Sequence, residues 1–188
     1  MPVFESTEGS QWPGDWSGDG RFILINDRNA GIVALPTTGD RKPIRLLSSD
    51  AVIDEAQFSP NPNGRWVAYA STESGQAEIR VASFPEFKNI RQVSAGGGND
   101  PEWRGDGKEL FYMTGDGQLM AVGVSLTGSM LDTTAPKKLF ATRGTAGTPG
   151  ANNYAVSADG KHFLLIEPVR DSRPTPITVI LNWTSMLK

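Results

Sequence analysis

The feature that most constrains this chain is a short motif that returns four times: an apolar residue, Ser or Arg, two turn residues, Gly, a basic residue, then an apolar run. It reads Trp16-Ser17-Gly18-Asp19-Gly20-Arg21, Phe58-Ser59 on to Gly64-Arg65, Trp103-Arg104-Gly105-Asp106-Gly107-Lys108 and Val156-Ser157-Ala158-Asp159-Gly160-Lys161. The second copy carries two extra turn residues within Pro60-Asn61-Pro62-Asn63. The shared glycines stand at 20, 64, 107 and 160, in steps of 44, 43 and 53 residues. A period in this range marks a supersecondary unit that must stack on its neighbours to bury its apolar surface. The long third step requires an insertion, and Gly144-Thr145-Ala146-Gly147-Thr148-Pro149-Gly150 is too poor in apolar residues to be a strand.

Asp-Gly and Asn-Gly supply the positive φ that a tight hairpin needs, so turns are expected at Asp19-Gly20, Asn63-Gly64, Asp106-Gly107 and Asp159-Gly160. The runs that follow are Phe22–Ile25, Trp66–Tyr69, Leu110–Tyr112 and Phe163–Ile166. They lack polar alternation, as strands covered on both faces do. Ile23, Val67, Leu110 and Phe163 become equivalent buried positions, with Arg21, Arg65, Lys108 and Lys161 exposed beside them. A third strand follows in each repeat, at Gly31–Pro36, Ala77–Pro85, Gln118–Leu126 and Pro176–Trp183, and a fourth at Pro43–Ser48, Asn89–Ala95 and Lys137–Thr142. The best helical candidate, Asp132–Phe140, is broken by Pro136 and Thr133-Thr134. Four strands per repeat at this period predict an all-β propeller of about four four-stranded antiparallel blades, alone or within a larger ring. Its blades run over 14–50, 54–97, 99–143 and 152–183, with residues 1–6 as a strand that closes the last blade. Trp16, Trp66, Trp103 and Trp183 fall on repeat positions and read as packing between blades. Trp12, beside Pro13-Gly14 and outside the repeat, is the aromatic to test for binding.

The stretch Phe58-Ser59, Gly64-Arg65-Trp66-Val67-Ala68-Tyr69, Ser74-Gly75 and Glu78-Ile79 resembles the TolB-like and WD40-like propeller repeat. So do Pro101-Glu102-Trp103-Arg104, Gly107-Lys108-Glu109-Leu110-Phe111-Tyr112 and Pro176–Trp183. More narrowly, the repeats are similar to the C-terminal propellers of bacterial serine/threonine protein kinases and of winged-helix regulators. The second repeat departs by placing Asn63 where the family has Asp, a change that keeps the turn. The resemblance implies a ring of more than four blades, of which this would be the last part. It also implies a sensing or interaction module of a larger signalling protein, outside the cytoplasm. An envelope docking role of the TolB kind is the alternative.

The remaining residues weigh against chemistry of most kinds. A net charge of −3 leaves no footprint for nucleic acid. No apolar stretch approaches the ~20 residues of a membrane-spanning helix, and the acidic Met1–Ser10 does not read as a signal peptide. With no Cys and one His, His162, thiolate chemistry is excluded and a Ser-His-Asp site depends on one strand residue in register with Phe22, Trp66 and Glu109. No Gly-x-Ser-x-Gly elbow and no kinase signature occurs. Gly-Asp-Gly at 18–20, 105–107 and 115–117 reads as turns, not calcium loops. Gly96-Gly97-Gly98-Asn99-Asp100 lacks the Lys-Ser/Thr of a phosphate loop and reads as a connection between blades. Arg41-Lys42 and Lys137-Lys138 are solvated strand ends. No catalytic residue, cofactor or metal is expected. The expected partner is a protein or small ligand, without membrane insertion, and the assembly a homodimer or an attachment to further blades. One enzymatic alternative stays open: Asp15, Asp54, Glu55, Asp100 and Glu102 lie near the starts of innermost strands, where carboxylates can line an axial channel.

Overall fold

The computed structural model describes residues 10–28, 31–60, 65–127, 130–143 and 153–167. The Asp-Gly steps turn the chain as the sequence requires. Gly20, Gly107 and Gly160 have φ of 72°, 71° and 71°, and each donates its amide to the carbonyl three residues back at 2.8 Å. The aspartate before each glycine accepts the amide of the basic residue after it, at 3.0 Å in all three turns. The Ser17 and Ser157 hydroxyls complete the first and last turns. In the third repeat Arg104 replaces the serine and grips Asp106 through two nitrogens at 2.7 and 2.9 Å. Those bonds, first among several causes, hold the Asp106 carboxyl down at about 2. The turn expected at Asn63-Gly64 lies outside the described residues.

These hairpins build successive antiparallel meanders. The first sheet is β1 (Gln11–Trp16), β2 (Phe22–Asp27), β3 (Gly31–Pro36) and β4 (Ile44–Leu47), in that order. The second is β5 (Ile53–Phe58), β6 (Trp66–Ser71), β7 (Glu78–Ser83) and β8 (Arg91–Gln92). The third holds β9 (Asn99–Trp103), β10 (Glu109–Met113) and a long β11 (Gln118–Thr127), which pairs with β12 (Met130–Thr133) at one end and β13 (Lys137–Ala141) at the other. β14 (Tyr154–Val156) and β15 (Phe163–Leu165) form the described part of the fourth. No helix occurs among the described residues.

The sheets stack face to face, which explains the unbroken apolar runs. Along β6, Val67 and Tyr69 point toward the first sheet, against Leu24, Ile32 and Ala34, while Trp66, Ala68 and Ala70 meet Trp103, Leu110 and Tyr112 of the third. β10 repeats the alternation, with Phe111 and Met113 turned to Tyr154, Val156 and Phe163 of the fourth. Phe84 closes the first joint by edge contacts to Phe22 and Phe58 at 4.9 and 5.0 Å. This is the β-propeller arrangement, with sheets packed as blades.

Several expectations need correcting. Val67 and Leu110 are fully buried, but Ile23 and Phe163 are only half-buried. Ile23 lies on the face of the first sheet turned away from the second, with Ile25, Val33 and Leu35. Trp16 sits opposite Ile23 in the ladder, shares that face, and is 60% exposed instead of packed between blades. Phe58 and Trp103, its counterparts, do pack onto the preceding sheet and are buried with Trp66. In the run 163–166, Leu164 and Ile166 are 75% and 70% exposed, so only one face of β15 is covered. The third sheet has five strands, because β11 outruns its partner and gains the β12 hairpin. β8 is limited to Arg91–Gln92, because the Val93 and Ser94 amides both turn to one acceptor, the Ile79 carbonyl. Arg21, Arg65, Lys108 and Lys161 are exposed as expected. The expected strands at 1–6 and 176–183, the loop 144–150 and Trp183 lie outside the described residues.

Candidate functional site: an acidic mouth at the starts of the inner strands

The innermost strands of the first three sheets each carry one extra residue at nearly the same place. Between Trp12↔Asn26 and Trp16↔Ile23, three residues (13–15) oppose two (24–25). The same count holds for 55–57 against 68–69 and for 100–102 against 111–112. A β-bulge of this kind bends the strand and re-aims its side chains. In the second and third copies the first bulge residue, Glu55 or Asp100, takes a left-handed φ of 58° or 52°. That conformation is uncommon for a residue with a Cβ and marks a local constraint.

The bulges gather all five carboxylates of the sequence-predicted channel into one connected cluster. Asp15, half-buried on β1, accepts the Phe58 amide of the second sheet at 2.9 Å. Asp54 is 7% exposed and accepts the Trp12 indole N–H at 2.8 Å. Glu55 accepts the Asp100 amide at 2.5 Å across the joint between second and third sheets. Glu102 accepts the Gln57 amide group at 2.9 Å across the same joint. Asp100, 2% exposed, takes Asn153 Nδ2 on one oxygen at 2.8 Å, and its carbonyl receives the Tyr154 hydroxyl. Trp12 therefore belongs to the pattern: it stands at the strand position of Asp54 and Asn99, and its ring braces the cluster.

Burial, opposed by too few donors, raises the pKa of every carboxyl here. Glu55 is pushed up to about 8 by desolvation and then by the neighbouring Asp100 charge. Glu102 reaches about 7 through desolvation, with Asp15 and Asp100 adding to it against the Gln57 hydrogen bond. Asp15, Asp54 and Asp100 are raised as well, burial first. Two clefts flank Asp54-Glu55. One of about 290 Å³ is lined by Trp12, Asn26, Glu55 and Gln57, and one of about 430 Å³ by Val52, Ala70, Thr72 and Asn99. Such a mouth offers acceptors and negative potential, and suits a cationic or donor-rich group. Among the described residues no group of three or more His, Asp or Glu is arranged to hold a metal ion.

The glycine loop at 96–98 does cradle an anion, one supplied by the protein. Glu78 opens β7 at 3% exposure, and its carboxylate accepts the Gly97 amide at 3.0 Å, Gln76 Nε2 at 2.8 Å and the Ser94 hydroxyl. Burial raises its carboxyl, but these donors together with the Gly96 amide outweigh it and hold the group below the usual range. His162 is exposed beside Asp159 at 3.8 Å, apart from the cluster. Arg41, Lys42, Lys137 and Lys138 are exposed too.

No protein-family model matches the chain, and no curated protein matches it. Solved structures do. TolB from Acinetobacter baumannii superposes with a TM-score of 0.64 at 17% identity, over 90% of this chain and 40% of that one. A chain assigned as TolB from Agrobacterium tumefaciens gives 0.56 at 16% identity, over 86% and 61%. One assigned as a 6-phosphogluconolactonase from Bacteroides uniformis gives 0.54 at 17%, over 83% and 47%. This chain thus spans less than two thirds of each. At such identities the likeness is one of fold, and the fold is that of a TolB-like β-propeller.

Proposed function

We propose that the chain belongs to a non-catalytic propeller whose acidic mouth binds a protein or small ligand through a cationic, hydrogen-bond-donating group. The observation that carries this reading is the convergence of Asp15, Asp54, Glu55, Asp100 and Glu102 from three adjacent sheets, beside two open clefts. The similarity of the repeats to propellers attached to bacterial kinases and winged-helix regulators supports a place as the sensing module of a larger signalling protein. The fold likeness to TolB favours a second reading, a docking platform of the cell envelope. The enzymatic alternative gains little from the geometry. Paired carboxylates that cleave glycosides stand roughly 5 Å or more apart to admit substrate or water. Glu55 instead accepts the Asp100 backbone amide at 2.5 Å, closing the space between these two residues.

Calorimetric titration with an Arg/Lys-rich peptide and with its Glu-substituted counterpart tests the reading. The basic peptide is expected to bind, and Asp54→Asn to weaken it about tenfold, the loss of one charge-assisted contact. Equal binding of the two peptides, or binding indifferent to Asp54→Asn, overturns it. A folded partner whose binding survives that substitution favours the docking platform.

A further inference from the structure

The joint between the second and third sheets contains an arrangement that two ionised carboxylates do not explain. Glu55 Oε2 accepts the Asp100 backbone amide at 2.5 Å, so the Glu55 carboxyl lies against Asp100 across the joint. Asp100 is 2% exposed; its Oδ2 is served by Asn153, while its Oδ1 is buried with no donor among the described residues. An acceptor buried without a donor is costly, and two carboxylates in contact inside a protein do not both ionise. A proton on Glu55 resolves both problems, because it turns an acceptor into the donor that Asp100 lacks. We propose that a single proton shared between Glu55 and Asp100 latches the second sheet to the third, and that its loss loosens the acidic mouth.

The surroundings favour retention of that proton. Asp54 precedes Glu55 on β5, Asp100 and Glu102 face it from β9, Asp15 stands on β1 beside Glu102, and the Tyr154 phenol closes the site from β14. Among the described residues, the cation that acts in this neighbourhood is Arg28, which bears on Asp54. Burial and then the Asp100 charge raise Glu55 from its model-peptide range to about 8. The folded state therefore holds a proton that the unfolded chain releases near the ordinary glutamate range. Stability from the latch is complete below that range and is lost as pH rises through about 8. The latch is a property of the joint itself, so it stands or falls independently of any ligand at the mouth.

Urea unfolding of the full chain from pH 6 to 9.5, with a carboxyl-carbon NMR titration, tests this. In Glu55→Gln the amide donates to Asp100 at every pH and still offers an oxygen to its N–H. The expected result is a wild-type midpoint that falls as pH rises, a fall at least halved in Glu55→Gln, and a Glu55 carboxyl carbon that titrates above pH 7. Asp100→Asn removes the neighbouring charge and should return the Glu55 midpoint toward the ordinary range. Equal pH slopes in wild type and Glu55→Gln, or a wild-type Glu55 that titrates between pH 4 and 5, overturn the latch. If Glu55→Gln does not fold, the wild-type carboxyl titration decides alone.

Discussion

Replacing Glu78 by Gln keeps the shape of the side chain and removes only its charge and one acceptor. Besides the Gly96 amide, the carboxylate receives Gln76 Nε2 and the Gly97 amide on Oε1, and the Ser94 hydroxyl on Oε2. An amide cannot satisfy this set. With its nitrogen in place of Oε1 it confronts two donors; in place of Oε2 it crowds a second donor onto the Ser94 oxygen, which already accepts the Ile79 amide at 2.8 Å, and leaves the Ser94 hydrogen without its acceptor. The better orientation keeps two hydrogen bonds without their charge assistance and spoils the third. Charge-assisted bonds contribute about 1.5–3 kcal/mol each and neutral ones about 1, so two bonds weakened and one lost should cost at least about 2.5 kcal/mol. With a urea m-value of about 2 kcal/mol/M, the midpoint should fall by at least about 1 M. Because the Glu78 carboxyl is held below its usual range, its contribution is present above that range and lost as pH falls through the folded-state value. The gap between wild type and Glu78→Gln should therefore close in acid, opposite in sign to the alkaline loss expected from Glu55. A cost below about 0.5 kcal/mol at pH 7, or a gap unchanged at pH 3, would refute this account of the glycine loop.

Two further outcomes test the stacking of the sheets. Leu110→Ala empties a fully buried position between the second and third sheets and should lower stability by about 2–5 kcal/mol in denaturant unfolding; a value under about 0.5 would mean the joint is wrongly drawn. Gly105→Ala would place a methyl 2.7 Å from the Ala158 carbonyl oxygen and 3.0 Å from its Cα, forcing apart the turns of the third and fourth sheets at a cost of about 1–3 kcal/mol. A neutral effect would show that the fourth sheet does not dock there.

The parts of the fold legible in the sequence are those decided within a few residues. A turn that needs positive φ at Gly20, Gly107 or Gly160, closed by the aspartate before it, is a local demand and leaves a local signature. Strand pairing then follows from the apolar runs. What failed depends on neighbours far along the chain. Trp16 carries the same motif as Trp103, yet one is exposed and the other buried, because burial belongs to the preceding sheet and not to the residue. The β12 hairpin was missed because nothing in Met130–Thr133 alternates strongly enough to distinguish a strand extension from a loop. The five carboxylates were identifiable from their nearness to strand starts, but their mutual contacts were not. The bulge that aims them appears only when 55–57 and 100–102 are laid against their partner strands. Glu78 left no signal of this role, since its donors lie as far as 19 residues away.

The repeated bulge separates two jobs that strands usually combine. The turns and apolar runs that make each sheet a stackable unit lie downstream of the bulge, while Gly14, Glu55 and Asp100 occupy its first position in successive copies. One has no side chain and two carry carboxylates, yet the ladders on either side of them continue in all three copies. The bulge position thus behaves as an interchangeable slot, one per repeat, at which a mouth of new charge or shape can be composed without rewriting the sheet that carries it. For protein engineering, the set of first bulge residues is the short vocabulary through which recognition in this scaffold can be rewritten.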